Sequence, residues 1–142
     1  MTLHCRGRLH GCIGYIFPLY PLVQTIIDCS ISAAAEDPRF DPVTLLELKD
    51  IDIEISVLTP LEEVTDLESI LVGRDGLVIS QHGFRGLLLP QVATQYGWDR
   101  ERFLAETCRK AGLPTDAWKK GARIEKFSAQ VFGELEMEQR QN

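Results

Sequence analysis

The clearest regular element is the stretch Ile51-Asp52-Ile53-Glu54-Ile55-Ser56-Val57-Leu58-Thr59. Isoleucine and valine alternate with polar side chains along it. The one exception is Leu58, an apolar residue at a position where the alternation would have a polar one. A period of two with β-branched residues is typical of a strand that buries one face. The stretch therefore predicts a β-strand over residues 51–59 with one apolar and one polar face.

Upstream, the first fifteen residues predict a β-hairpin, because apolar and polar side chains alternate on both sides of a short polar segment. A three-residue connection, Arg6-Gly7-Arg8, would pair Cys5 with Leu9 and His4 with His10. Residues that face each other across two strands share a sheet face, and this register keeps the apolar set together. A two-residue loop would mix the faces, so the longer connection is favoured. The favoured register puts four side chains on one face: Thr2, His4, His10 and Cys12.

Two long helices are predicted. Residues 21–35 begin with Pro21, which suits the first turn of a helix. Asp99 predicts the N-cap of the second helix, which ends before Gly112 and Pro114. Three shorter helical segments are predicted at residues 44–48, 66–71 and 91–96. The apolar face of the first helix comprises Leu22, Val23, Ile26, Ile27, Cys29, Ala33 and Ala34.

A second hairpin is predicted from residues 76–81 and 86–89, with His82-Gly83-Phe84-Arg85 as its connection. Pro90 should end its second strand, and residues 123–134 predict a further strand. Residues 139–142 are expected to be a frayed tail. Together these elements predict an α+β fold, in which a mainly antiparallel sheet of hairpins packs with three to four helices.

Composition is that of an ordinary globular chain. Its 142 residues are 44% hydrophobic and 25% charged, which suits one domain. No apolar run reaches the roughly 18–20 residues that span a bilayer, and the start lacks the order of a secretory signal. These features predict a cytoplasmic protein. Its four cysteines form no CxxC pair and are expected to be free thiols, with Cys29 and Cys108 packed on apolar helix faces.

Charge is distributed unevenly. The net charge is −6, yet residues 36–68 hold eleven acidic and two basic residues, so this segment carries −9 and the remainder +3. Nucleic-acid binding needs basic side chains concentrated on one face, so the acidic balance argues against it. A solvated helix surface is the favoured interpretation of the basic residues Arg100, Arg102, Arg109, Lys110, Lys119, Lys120 and Arg123.

The most promising residue for chemistry is Cys12, which Gly11 and Gly14 flank. A thiolate is nucleophilic, and an adjacent imidazole such as His10 or His82 could tune its pKa. The two glycines would let the backbone approach a ligand closely and help to hold an anionic group. The alternative is a small buried cysteine in a glycine-kinked strand. From spacing alone, both interpretations stay open.

Other candidate residues carry a weaker signal. His82 and Arg85 lie in the predicted connection of the second hairpin, where they could act as a general base or an anion contact, or could simply be solvated. Glu54 lies on the polar side of its strand and could contact a ligand or orient an imidazole. The cysteines and histidines lack the paired spacing of zinc motifs, and no nucleotide-binding, serine-esterase or zincin motif occurs. We therefore expect neither a metal nor a cofactor.

One segment carries a family resemblance. Leu9-His10-Gly11-Cys12-Ile13-Gly14 resembles the Leu-Arg-Gly-Cys-Ile-Gly signature of the AMMECR family, known in prokaryotes as AmmeMemoRadiSam system protein A. Five further matches follow in the family's order. They are Glu36-Asp37-Pro38-Arg39-Phe40, Glu54-Ile55-Ser56-Val57-Leu58-Thr59-Pro60, Gly73-Arg74-Asp75-Gly76-Leu77, Gly86-Leu87-Leu88-Leu89-Pro90-Gln91-Val92 and Lys110-Ala111-Gly112-Leu113.

The resemblance implies a mixed α/β domain with a larger and a smaller lobe and a cleft near the signature. It also implies association with Memo-type and radical-SAM proteins, without an established reaction. The sequence departs from the family in having His10 where the family has arginine. It also begins at the strand before the signature, so we expect residues 1–142 to form one domain that lacks the family's N-terminal helical portion and could self-associate.

Two functional hypotheses follow. In the first, Cys12 is the centre of a small-molecule site or an enzyme, with His10 and His82 as tuning groups and Gly11, Gly14, Glu54 and Arg85 as ligand contacts. In the second, the domain is a non-catalytic adaptor that docks a Memo-type or radical-SAM protein, and its acidic segment steers it toward a basic surface.

Overall fold

The computed structural model describes residues 1–134 and confirms the α+β class. Its described part contains seven strands, paired antiparallel, and three α-helices. No helix in that part is long and apolar enough to cross a membrane. The chain forms two compact units: the first contains residues 1–57 together with the end of the last strand from Gln130, and the second contains residues 58–129.

The first unit is a three-stranded sheet covered on one face by a helix. Its elements are β1 (Thr2–Cys5), β2 (Arg8–Cys12), α1 (Leu22–Ala35) and β3 (Ile51–Leu58). β1 lies between the other two strands, and Leu3 of β1 faces Gly11 of β2 on one side and Ile53 of β3 on the other. Leu3 is buried, as is Ala33 of α1, so α1 packs on the face that Leu3 occupies. The strand predicted over residues 51–59 is confirmed.

The predicted three-residue connection of the first hairpin is wrong. The turn contains two residues, Arg6 and Gly7, whose φ angles are 51° and 75°. Two successive positive φ angles are those of a type I′ turn, whose twist matches that of the flanking strands. Cys5 therefore lies opposite Arg8 and not opposite Leu9.

A bulge then restores the predicted register. The pairing shifts after the first two pairs, so His10 is an extra residue on β2. Beyond it, Leu3 lies opposite Gly11 and Thr2 lies opposite Cys12, as predicted. Near the turn, by contrast, Leu9 lies opposite His4, on the face away from Leu3, and is 43% exposed.

Helix α1 is confirmed, but much of its predicted apolar face is exposed. It begins directly after Pro21, and its buried residues are Cys29 and Ala33. Val23 is 70% exposed. Four large aliphatic side chains of α1 reach solvent: Leu22, Val23, Ile27 and Ile31.

The helix predicted at residues 44–48 is wrong. A 3-10 turn occupies Leu48–Asp50 instead, and the residues before it form hydrogen-bonded turns. Glu47 Oε2 accepts hydrogen bonds from the backbone N–H and the hydroxyl of Thr44, at 2.8 and 2.7 Å. The bond from the Thr44 N–H to Glu47 is that of a capping box, which begins a helical turn, and here that turn continues only as the short 3-10 turn.

The second unit packs helices against a four-stranded sheet. Its strands are β4 (Glu62–Glu63), β5 (Asp75–Gln81), β6 (Phe84–Leu88) and β7 (Arg123–Gly133), and its helices are α2 (Pro90–Gln95) and α3 (Arg100–Lys110). The strand order is β6–β5–β7–β4. Asp99 caps α3 as predicted, accepting a hydrogen bond from the N–H of Arg102. Phe103, Leu104 and Cys108 of α3 are fully buried in the core.

Three boundaries of this unit differ from prediction. The β5–β6 turn is only His82-Gly83, with φ angles of 51° and 84°, so Phe84 and Arg85 belong to β6. Pro90 follows the end of β6 and is also the first residue of α2. A helix tolerates proline at its first position. The helix predicted at residues 66–71 is a 3-10 turn at Leu67–Ser69. The predicted tail, residues 139–142, lies outside the described residues.

Candidate functional site

A buried carboxylate holds the backbone of Cys12. Asp37 is 5% exposed, and its Oδ2 accepts hydrogen bonds from the N–H of Cys12 at 2.9 Å and from Nη2 of Arg39 at 2.7 Å. Its Oδ1 accepts from the N–H and Nε of Arg39, at 3.1 and 2.9 Å. Arg39 Nη2 also donates to the carbonyl oxygen of Cys12 at 3.1 Å. We call this arrangement, Asp37 with Arg39 on the backbone of Cys12, the Asp37–Arg39 clamp.

The clamp fixes the charge states of its members. The hydrogen bonds from Arg39 hold the pKa of Asp37 well below its ordinary value, although burial opposes this shift, and the N–H of Cys12 lowers it further. The pKa of Arg39 is raised, first by its hydrogen bond to Asp37 and also by the charge that Cys12 can carry. A neutral ion pair therefore sits beside Cys12.

The Cys12 thiol lies in a row of polar side chains across the sheet. Cys12 Sγ lies 3.4 Å from the hydroxyl oxygen of Thr2, and either group can donate the hydrogen bond. Thr2 is the residue of β1 opposite Cys12 on β2 and opposite Glu54 on β3. Because opposite residues share a face, Cys12, Thr2 and Glu54 project to the same side of the sheet. All three are half-buried.

The neighbouring row adds an imidazole and a second carboxylate. His4 shares the face of Thr2, since it is two residues further along β1, and it lies opposite Asp52 of β3. Asp52 Oδ1 is buried and has no hydrogen-bond partner within residues 1–134. The Cys12 face, as we call it, therefore comprises Thr2, His4, Cys12, Asp52 and Glu54, on the side of the sheet opposite Leu3 and α1.

The two glycines of the signature differ in their surroundings. A Cβ on Gly11 would collide with the carbonyl oxygen of Ala33 in α1. Gly11 thus lets the helix approach the sheet closely, which explains its presence without a ligand. A Cβ on Gly14 would meet no atom within 4 Å, and this residue is exposed.

The structure does not bring His10 beside the thiol. His10 Nε2 is buried, has no hydrogen-bond partner in the described part of the chain, and lies 4.0 Å from Glu47 Oε1. Its ring packs against Phe40 with 6.1 Å between ring centroids, and the guanidinium of Arg39 lies 5.3 Å from the centroid of the same Phe40 ring. His4, which the sequence analysis placed on this face, is the histidine that shares it with Cys12.

The remaining predicted site residues belong to the second unit. His82 lies exposed in the β5–β6 turn. Arg85 Nη2 donates a hydrogen bond to Glu125 Oε2 at 3.1 Å. Within residues 1–134, no three His, Cys, Asp or Glu side chains are grouped so that they could hold a metal ion.

Sequence reasoning missed Asp37, Arg39 and Asp52 as site residues. The sequence analysis assigned no role to Asp37 or Arg39, although the segment that contains them is one of the family matches. The hydrogen bond from Cys12 to Asp37 spans 25 residues of sequence, so local patterns do not reveal it. In the sequence, Asp52 could be identified only as one of the polar residues that alternate with apolar residues along the predicted strand.

Comparison with known proteins gives the chain a family. The family model described as AMMECR1 matches residues 1–132. A protein of Methanothermobacter thermautotrophicus is 51% identical over 141 residues, which cover 94% of this chain and 73% of that protein. Protein MJ0810 of Methanocaldococcus jannaschii is 50% identical, with 95% of this chain and 72% of that protein covered. The crystal structure of the uncharacterized protein PH0010 from Pyrococcus horikoshii matches with a TM-score of 0.88 and 46% identity, covering 94% of this chain and 71% of that chain. The chain therefore belongs to the AMMECR1 family.

Proposed function

We propose that the Cys12 face is a small-molecule site at which the Cys12 thiol contacts or attacks its ligand. The observation that carries this proposal is the Asp37–Arg39 clamp, which fixes the backbone of Cys12 while the thiol stays half-exposed. The two packing cysteines, Cys29 and Cys108, are instead fully buried on helices. A thiol held in place at an accessible face suits a functional site better than a packing role.

The chemistry of the thiol would rest on its neighbours. A cysteine reacts as the thiolate, and a nearby imidazole can accept its proton. His4 shares the Cys12 face, so we assign to it the role that the sequence analysis gave to His10. The cytoplasm that the sequence predicts is reducing and would keep the thiol free.

The face also suggests a class of ligand. Asp52 and Glu54 make it acidic, so it would attract a positively charged group. Asp52 Oδ1 is buried without a partner in the described chain, and such an unpaired acceptor costs about 1–3 kcal/mol. A ligand ammonium or another strong donor would satisfy it. We infer that the ligand is a small amine-bearing molecule.

The test follows the reaction of Cys12 with cystamine, a small disulfide with two ammonium groups. The Cys12 thiolate attacks one cystamine sulfur, a protein S–S bond forms, and cysteamine leaves as a thiolate that takes a proton from solvent. Rates are compared with those of bis(2-hydroxyethyl) disulfide, an uncharged reagent. The preference for cystamine, which is the ratio of these two rates, is expected to fall about threefold in Glu54→Gln, because one carboxylate of the Cys12 face is lost.

Glu101→Gln is the matched control, since Glu101 is an exposed residue of α3 in the second unit. It is expected to leave the preference at Cys12 unchanged. Tandem mass spectrometry of digested protein assigns the modification to each cysteine. An unchanged preference in Glu54→Gln would remove the electrostatic basis of the proposed ligand class.

A second candidate function is the adaptor, and the exposed stripe on α1 favours it. Val23, Ile27 and Ile31 are four residues apart, so they lie along one side of the helix, and all are exposed. Apolar side chains in such a row often mark a protein-binding surface. The resemblance implies a Memo-type or radical-SAM protein as the partner.

Size-exclusion chromatography with a Memo-type protein tests the adaptor. If the stripe docks that partner, Ile27→Glu is expected to weaken co-elution by at least about tenfold in affinity, because a charge would be buried in the interface. Gln24→Lys changes an exposed residue of α1 outside the stripe and should have little effect. Separate elution of the two wild-type proteins at low and moderate salt would count against the adaptor.

A further inference from the structure

A pocket lies beside the β1–β2 turn, and none of the five residues of the Cys12 face lines it. Its volume is about 380 Å³, which is within the range of sites for small molecules. It lies in the first unit, and nothing described so far uses it. The pocket is lined by Cys5, Arg6, Arg8, Leu9, His10 and Glu47.

The turn gathers two arginines around the thiol of Cys5. Cys5 is half-buried and lies opposite Arg8, so both side chains project to the same face. Arg6 follows Cys5 in the turn, and Asp50 Oδ2 accepts hydrogen bonds from its Nε and Nη2 at 3.1 and 2.7 Å. The pKa of Arg6 is raised, mainly by that hydrogen bond, and the charge that Cys5 can carry contributes to the shift.

The charges around the pocket leave Arg8 uncompensated. Asp50 neutralises Arg6, and the side chain of Glu47 is held by Thr44 and lies 4.0 Å from His10 Nε2. Within residues 1–134, no hydrogen bond or ion pair joins Arg8 to an acidic side chain. The buried Nε2 of His10 has no hydrogen-bond partner there, and its ion-pair contact is Glu47 Oε1 at 4.0 Å. Arg8 can therefore receive a negatively charged group of a ligand.

The surroundings of the other thiols differ. Cys29 and Cys108 are buried, and burial raises the pKa of the Cys108 thiol. Cys12 shares its face with the carboxylates of Asp52 and Glu54, which repel anions. Cys5 is thus the half-buried thiol that shares a pocket with Arg8, a cationic side chain without an acidic partner within residues 1–134.

We propose that this pocket binds small anionic molecules and makes Cys5 the thiol that anionic disulfides modify. The Cys5 thiolate attacks one sulfur of the disulfide, a mixed disulfide forms on the protein, and the other half leaves as a thiolate that is protonated according to its own pKa. Arg8 attracts the anionic group of the reagent. This proposal is independent of the function proposed for the Cys12 face.

The experiment compares two aromatic disulfides at each cysteine of the folded protein. The dianionic reagent is 5,5′-dithiobis(2-nitrobenzoate), and the uncharged one is 4,4′-dithiodipyridine. Digestion after Arg6 separates Cys5 from the other cysteines. For each cysteine, the rate with the anionic reagent is divided by the rate with the uncharged reagent. This corrected rate, the anionic preference, is expected to be about ten times larger at Cys5 than at Cys12.

Arg8→Gln is expected to reduce the anionic preference at Cys5 about fivefold, whereas Lys110→Gln, an equal charge change at an exposed residue of α3, leaves it unchanged. The wild-type protein gives a check that needs no variant, because raising the salt to about 0.5 M should screen the attraction and reduce the same preference. Equal corrected rates at Cys5 and Cys12, or an Arg8→Gln preference equal to that of wild type, would overturn the proposal.

Discussion

Replacing Asp37 by asparagine is expected to lower the free energy of unfolding by about 2–3 kcal/mol. The buried carboxylate accepts four hydrogen bonds, three of them from Arg39 and one from the N–H of Cys12. The side-chain NH2 group of an asparagine would face the N–H donors of Arg39 or Cys12, so that a donor would meet a donor where the carboxylate now accepts a hydrogen bond. The cost is smaller than for a fully buried ion pair, because the Arg39 side chain is 53% exposed and regains water when its partner is lost.

Urea denaturation measures this change, and Asp41→Asn is the matched control. Asp41 is an exposed aspartate in the same loop, so its replacement should alter the free energy of unfolding by less than about 0.5 kcal/mol. Equal stability of the two variants would show that the clamp does not hold the loop to β2.

The same contact predicts a dependence on pH. The pKa of Asp37 is lower in the folded protein than in the unfolded chain, where an aspartate titrates near about 3.9. The stabilisation by its carboxylate is therefore fully present above that value and is lost as the pH falls toward the folded pKa. The stability difference between wild type and Asp37→Asn should accordingly shrink below about pH 4.

Replacing Gly11 by alanine is expected to cost about 3 kcal/mol or more. The new Cβ would collide with the carbonyl oxygen of Ala33, and backbone cannot move aside as a flexible side chain can. Either α1 must lift from the sheet or β2 must shift, and both changes disturb the packing around Leu3.

Gly14→Ala is the control for this variant within the same signature. Its Cβ would meet no neighbour within 4 Å, and Gly14 has no positive φ, so stability should stay within about 0.5 kcal/mol of wild type. Thermal and urea unfolding of the pair distinguish helix packing from a role in ligand approach. If Gly11→Ala is as stable as Gly14→Ala, the packing explanation of Gly11 is contradicted.

Elements with a strong local period were predicted well. The strand β3 follows from its alternation, and α3 follows from its apolar stripe and the Asp99 cap. The turn of the first hairpin was not predictable in the same way. A type I′ turn requires positive φ at Arg6, which arginine adopts at a cost, and the bulge at His10 compensates for the shorter loop.

The site could be predicted only in pieces. Cys12 and Glu54 were each singled out, but their relation depends on Thr2, which pairs with both across the central strand. The clamp depends on a loop that returns to β2 after α1, and no periodicity encodes that closure. Long-range contacts of this kind follow from the packing of α1 on the sheet.

The central claim, that the Cys12 face presents an accessible thiol to amine-bearing ligands, is tested most directly on the wild-type protein. The measurement is the rate of mixed-disulfide formation with cystamine and with bis(2-hydroxyethyl) disulfide, resolved at each cysteine by mass spectrometry. We expect cystamine to modify Cys12 about ten times faster than the uncharged reagent, while the buried Cys29 and Cys108 stay protected. Modification of Cys12 only as slowly as Cys29 and Cys108, by either reagent, would contradict the claim.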